Sequence, residues 1–281
     1  MNDLENNPLF FEDSQTIIKE ETWGGAENKV SSIAFNVSEK SSNEVVYDHV
    51  LKEPQKVNYV DALAKKYPPK NNIEIETIKD LSNYFNSKER FINSQKDWKL
   101  MKEIFVDTLP KTQYIIGEPR FGNDLGFYII QEKVHGETWS KFASKKSREE
   151  NQDFMMEHRD QLIKLIGGAI KTLIETGGTV DIWGDNLMVD ENNHFFLVDP
   201  GVPSDLNRHF DKLLKLPEEM RELLSKNLLT RVSDLDKYPS SINMSDEEIS
   251  KMYEDFEMTK KQYEEAKNQL IEKCKVLVEN K

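Results

Sequence analysis

The sequence predicts an α+β fold in which a small strand-rich region precedes a larger helical one. Three observations carry that prediction. Short β-prone runs separated by glycine- and proline-bearing turns fill much of residues 1–134. Apolar residues at helical spacing dominate residues 135–281. A hairpin signal, Asp190-Glu191-Asn192-Asn193, interrupts the helical part. A run of strands followed by a run of helices is the pattern of segregated layers rather than of alternating βαβ units.

Residues 16–19 and 32–37 are β-prone and flank Trp23-Gly24-Gly25-Ala26-Glu27-Asn28, whose glycines suit a turn. Residues 44–52 read as a third strand, ended by Glu53-Pro54, and Pro68-Pro69 breaks the chain again. From about 75 to 109 the period is helical, through Ile78, Leu81, Phe85, Phe91, Trp98, Met101, Ile104 and Phe105, until Pro110 stops it. Residues 113–116 and 126–134 are two more strands, around a turn with Gly117, Pro119, Gly122 and Asn123.

In the second region, residues 154–176 place Leu162, Leu165, Ile166, Ala169, Ile170 and Leu173 at helical spacing. So many apolar positions predict a buried helix, and Gly177-Gly178 supplies its left-handed stop. Residues 187–189 and 194–198 then pair across the hairpin. Pro217 suits the first turn of a helix, and Ser245-Asp246-Glu247-Glu248 is a capping box opening a long terminal one. Ile249, Phe256, Tyr263, Leu270 and Leu277 recur every seven residues there. Their companions Tyr253, Lys260, Lys267 and Cys274 are mixed, so packing on the helical region is expected, with self-association or partner docking as the alternative.

Composition narrows the function classes. The 281 residues carry 38 Lys+Arg against 51 Asp+Glu, a net charge of -13. That balance argues against a nucleic-acid coat or an anionic-membrane binder, which would need a basic surface. One cysteine, Cys274, allows no internal disulfide and no multi-cysteine metal site. The five histidines have no ligand spacing. With no basic leader and no long apolar run, the expectation is a soluble, cytoplasmic protein.

The informative segment is VDIWGDNLMVDENNHFFLVDPG, residues 180–201. Asn186 lies five residues after Asp181, and Asp199 thirteen residues after Asn186. Asp181 follows the buried helix, Asn186 precedes a strand, and Asp199 ends the return strand before Pro200-Gly201. A hairpin between the last two would set their separation through its ladder.

On these residues the sequence resembles the protein-kinase-like superfamily, which includes protein kinases and the aminoglycoside and choline kinases. Asp181-Ile182-Trp183-Gly184-Asp185-Asn186 is similar to the catalytic loop, and Asp199-Pro200-Gly201 to the metal-binding D-F-G motif. The resemblance implies a bilobal fold, with a small N-lobe over 1–134 and a helical C-lobe over 135–281. It implies that Asp181 accepts a proton from an acceptor hydroxyl, while Asn186 and Asp199 hold Mg2+ against the phosphates of ATP. Lys52 would contact the α- and β-phosphates, and the turn with Gly24 and Gly25 would cover them. The Lys52 partner stays open among Asp97, favoured by its distance from Pro110, Glu89 and Glu103. Residues 127–136 look like the hinge, where the Glu132 carbonyl and the Val134 amide and carbonyl would pair with adenine.

The sequence also departs from the family. Thr179-Val180-Asp181 replaces H-R-D, so the loop lacks the usual histidine. Trp183 stands where protein kinases commonly carry a lysine against the transferring phosphate, and the glycine turn has two glycines. No Ser/Thr-rich activation segment follows residue 202. These departures favour an atypical or small-molecule kinase over a regulated Ser/Thr kinase. The alternative is a pseudokinase that binds nucleotide or a protein partner without turnover.

Overall fold

The computed structural model describes residues 17–24, 28–35, 48–54, 59–116 and 127–279. The expectations placed on Gly25, on residues 44–47 and on the turn bearing Gly117, Pro119, Gly122 and Asn123 lie outside the described residues. The chain is mixed α+β and divides into two compact units, Met1–Tyr59 with Pro110–Lys133, and Val60–Leu109 with Val134–Lys281.

The first unit is a five-stranded antiparallel sheet of order β1-β2-β3-β5-β4. Its strands are β1 (Ile17–Gly24), β2 (Asn28–Phe35), β3 (His49–Pro54), β4 (Thr112–Ile116) and β5 (Phe127–Glu132). Gly24, the last residue of β1, pairs with Lys29 of β2. Lys52 pairs with Val30 on one side and Ile129 on the other. Ile33, Leu51, Tyr128 and Ile130 form the buried core of this unit. Each such side chain contributes about 1.5–3 kcal/mol by leaving water, which is what keeps short strands paired.

The second unit holds the helices. Those N-terminal to β4 are α1 (Tyr59–Lys66), α2 (Asn72–Phe85) and α3 (Lys88–Ile104). The helical pattern over 75–109 forms two helices, divided at Ser87, which caps α3 by accepting from Arg90 N at 3.1 Å. Val60, Ile78 and Leu81 pack with Leu216 and Met220. That cluster is why residues 60–109 group with the helical region, where a single cut at 134 would have left them with the strands.

Beyond β5 come β6 (Gly136–Thr138), α4 (Trp139–Ser144), α5 (Arg148–Glu157) and α6 (Arg159–Thr176). A 3-10 turn (Gly184–Asn186) leads into β7 (Leu187–Asp190) and β8 (Phe195–Leu197). The expected hairpin is present and gains a third strand, β6, giving the order β6-β7-β8. A run of three residues, Gly136-Glu137-Thr138, is too short to leave a period in the sequence. Asp190 Oδ1 accepts from Asn192 N at 2.8 Å and His194 N at 2.7 Å, which closes the turn.

The remaining helices are α7 (Asp205–Arg208), α8 (Phe210–Leu213), α9 (Glu218–Ser241), α10 (Asp246–Asp255) and α11 (Lys260–Glu279). The Ser245–Glu248 capping box forms as expected. The long terminal helix is two, since Phe256 caps α10 and Glu257 takes a positive φ of 50°. Tyr263, Leu270, Cys274 and Leu277 are buried on α11. Arg221 Nη1 donates to Leu277 O at 2.6 Å and Ser225 Oγ to Cys274 O at 3.1 Å, fastening α11 to α9. Burial pushes the Cys274 thiol up, so it behaves as an inert apolar group. No described helix is long and apolar enough to cross a membrane.

Candidate functional site in the helical unit

The site is built from the end of α6 onward. Leu162, Leu165, Ala169, Ile170 and Leu173 are essentially fully buried, so α6 is a fixed post. Gly177 ends it in the left-handed region (φ 67°), its N–H donating to Leu173 O at 2.8 Å. Gly178 is required for a different reason: a methyl group there would land on the backbone carbonyl of Pro203. Asn207 Nδ2 donates to Thr176 O nearby. The chain entering the Asp181 loop is therefore locked against the chain leaving the Asp199 turn.

From there the backbone alternates. Val180 and Ile182 are buried and anchor the loop, which leaves Asp181 between them partly exposed. Its Oδ1 accepts from Trp183 N at 3.3 Å, and its Oδ2 lies 3.6 Å from Arg231 Nη2 on α9. Trp183 stacks on Tyr238 of α9 with centroids 5.3 Å apart, and meets Trp139 of α4 at 5.4 Å. Thr179 is buried and its hydroxyl finds no partner among the described residues. The Tyr238 hydroxyl is pushed up, by burial first and then by the charges of Asp234 and Asp181.

Asn186 closes the 3-10 turn, its N–H donating to Trp183 O at 3.3 Å. Its carbonyl accepts from Val198 N at 2.8 Å, so the residue before Asp199 is bonded directly to Asn186. The hairpin thus sets the spacing of these two residues, as its sequence pattern suggested. Asp199 itself is exposed, Pro200 is buried, and Gly201 turns with φ 76°. Asn186 and Asp199 offer an amide oxygen and a carboxylate, the hard donors that Mg2+ takes alongside substrate phosphates. Among the described residues no group of three or more His, Cys, Asp or Glu could hold a metal alone.

Asp97, expected as the Lys52 partner, is placed in this helical unit, 4 % exposed on α3. It accepts from Ser204 N at 3.0 Å, from the Ser204 hydroxyl, and from Arg208 Nη2 at 2.6 Å. Arg208 also reaches Asp205, which accepts from the Tyr84 hydroxyl at 2.9 Å. The whole set pins the segment after the Asp199 turn onto α2 and α3.

In the sheet unit, Lys52 sits half-buried in mid-sheet on β3 and Gly24 ends β1. Glu132 ends β5, its N–H donating to Lys111 O at 2.8 Å. Lys133 ends the second stretch of the sheet unit, and Val134 begins the second stretch of the helical one. Sequence reasoning missed Arg231, Tyr238, Pro203 and Ser204. All four are brought in by tertiary packing, and no local spacing in the sequence points to them. No family model matches the chain, and no curated protein shows significant similarity to it.

Proposed function

We propose that the chain is an ATP-dependent phosphotransferase with a bilobal, protein-kinase-like fold, acting in the cytoplasm. The observation that carries this reading is the Asp181, Asn186, Asp199 array. Its members lie on a loop, a turn and a hairpin return that are bonded to one another through Asn186–Val198 and packed together at Gly178–Pro203.

The acceptor is a hydroxyl of a small molecule or a protein. Asp181 takes its proton as the new O–Pγ bond forms and the bond from Pγ to the ADP oxygen breaks; the proton then passes to solvent. Asn186 and Asp199 would hold Mg2+, which when bound neutralises phosphate charge. Lys52 reaches the α- and β-phosphates, and the turn with Gly24 and Gly25 covers them. The Glu132 carbonyl and the Val134 amide and carbonyl meet adenine. Asp97 is committed to Ser204 and Arg208, so Glu89 and Glu103 on α3 become the better carboxylates for Lys52.

Magnesium-dependent ATP turnover tests the reading. Asp181→Ala and Asp199→Ala should each reduce it about 100-fold or more, and turnover unchanged by both would overturn the assignment. The engaged Asp97 and the buried, unpartnered Thr179 hydroxyl favour a second reading, a nucleotide-binding module without transfer. Nucleotide binding with no turnover over a broad panel of hydroxyl acceptors would select it.

A further inference from the structure

Transfer of a phosphoryl group to a hydroxyl held by Asp181 brings negatively charged equatorial oxygens toward a carboxylate. A cation on the acceptor side offsets that repulsion. The loop itself offers none: Trp183 occupies the position two residues on, and its ring is packed against Tyr238 and Trp139.

Another element places a cation beside Asp181. Leu228, Val232 and Leu235 bury one face of α9 and fix its rotation. Arg231 and Tyr238, seven residues apart, share the stripe that faces the loop, one beside Asp181 and the other under Trp183. Arg231 Nη2 lies 3.6 Å from Asp181 Oδ2, and the two side chains are 42 % and 39 % exposed. At that distance the pair is ionic rather than hydrogen-bonded. Among the described residues Arg231 makes no hydrogen bond, so its five N–H donors remain open to a ligand. A guanidinium presents them as a planar fork that matches phosphoryl oxygens, and it stays charged at any working pH.

We propose that Arg231 is a catalytic residue that binds the transferring phosphoryl group, supplying from α9 the positive charge that the loop lacks. The inference rests on the phosphotransferase reading with Asp181 as the base. In the transfer, Arg231 donates N–H to the equatorial oxygens and keeps its proton. The acceptor proton goes to Asp181, the O–Pγ bond forms, and ADP leaves with the electrons of the broken bond.

The test uses the full chain with Mg-ADP alone and with Mg-ADP plus aluminium fluoride, an anionic mimic of the phosphoryl group in flight. Affinities are read from a fluorescent ADP analogue. The wild type should bind more tightly when aluminium fluoride is added. Arg231→Ala and Arg231→Gln should lose that gain by about tenfold or more, with Mg-ADP affinity within about twofold of wild type. Arg231→Lys should keep part of the gain, and added guanidinium ion should restore part of it to Arg231→Ala. The inference is overturned, with the phosphotransferase reading intact, if the gain persists in Arg231→Ala. It is likewise overturned if the wild type binds Mg-ADP but shows no gain. A wild type that binds no Mg-ADP removes the phosphotransferase reading first, and this inference with it.

Discussion

The segment that carries Asp181 and the segment that carries Asp199 are held by different kinds of contact. Around Asp181 the side chain itself is contacted, by a hydrogen bond from Trp183 N on one oxygen and a 3.6 Å ion pair with Arg231 on the other. Around Asp199 the side chain has no partner among the described residues, and order is imposed on the backbone instead. Val198 is bonded to Asn186 on one side of it, and Ser204 to buried Asp97 on the other. The contrast fits the chemistry proposed for each. A base must be aimed before the proton arrives, whereas a metal-binding carboxylate is oriented by its ion and needs only its backbone fixed. The two segments also share a steric clamp, the approach of Gly178 to the Pro203 carbonyl.

Breaking the shared clamp should have the largest effect. Gly178→Ala puts a methyl group onto backbone that neither segment can move without dragging a candidate residue with it. We expect a loss of about 3 kcal/mol or more in chemical denaturation, together with loss of magnesium-dependent turnover. Wild-type stability in this variant would mean the two segments are not packed as described. Asp97→Asn is more selective. It leaves Arg208, 26 % exposed, without its closest anion and weakens the hold on Ser204. The expected cost is about 2 kcal/mol, below that of a fully buried pair because Arg208 keeps some solvent. Magnesium-dependent nucleotide affinity should fall with it, while the aluminium fluoride gain attributed to Arg231 should not. Equal losses in both readouts would erase the distinction between the two supports.

What could be read from the sequence follows the same division between local and long-range contact. The strands β1 to β5, the hairpin of β7 and β8, the left-handed stop at Gly177 and the Ser245 capping box are written in residues a few positions apart, and all of them form. Errors fell where a polar residue cut an apolar pattern. His158 divides α5 from α6, and Glu257 divides α10 from α11. Each is a single residue whose side chain or φ ends a helix while the apolar period runs on past it. Within the candidate site, the separation of Asn186 and Asp199 was legible because a hairpin sets it. The second role of Gly178 and the partners of Asp97 and Asp181 were not. They depend on residues 25 to 111 positions away in the sequence, from Gly178–Pro203 and Asp181–Arg231 to Asp97–Arg208.

The smallest expected effect sharpens the Asp199 side of the comparison through pH. His209, at the end of α7, packs its ring 3.9 Å from Tyr84, and its Nε2 is buried without a partner. Burial lowers its pKa below the ordinary 6.5; the charges of Lys212 and Arg208 lower it further, against Asp205 and Glu89. The folded protein therefore resists protonating this ring more than the unfolded chain does. Well above pH 6.5 the ring is neutral in both states and costs nothing. As pH falls from 6.5 toward the depressed folded value, the unfolded chain takes up the proton first and stability is lost. His209→Phe keeps the ring packed on Tyr84 and removes the proton site. Its midpoint of denaturation should stay flatter than that of wild type between about pH 6.5 and 5, before most carboxylates begin to titrate. The same slope in both proteins would show that His209 is not held neutral against Tyr84. That would loosen the account of how α7 and the segment after Asp199 are anchored on α2.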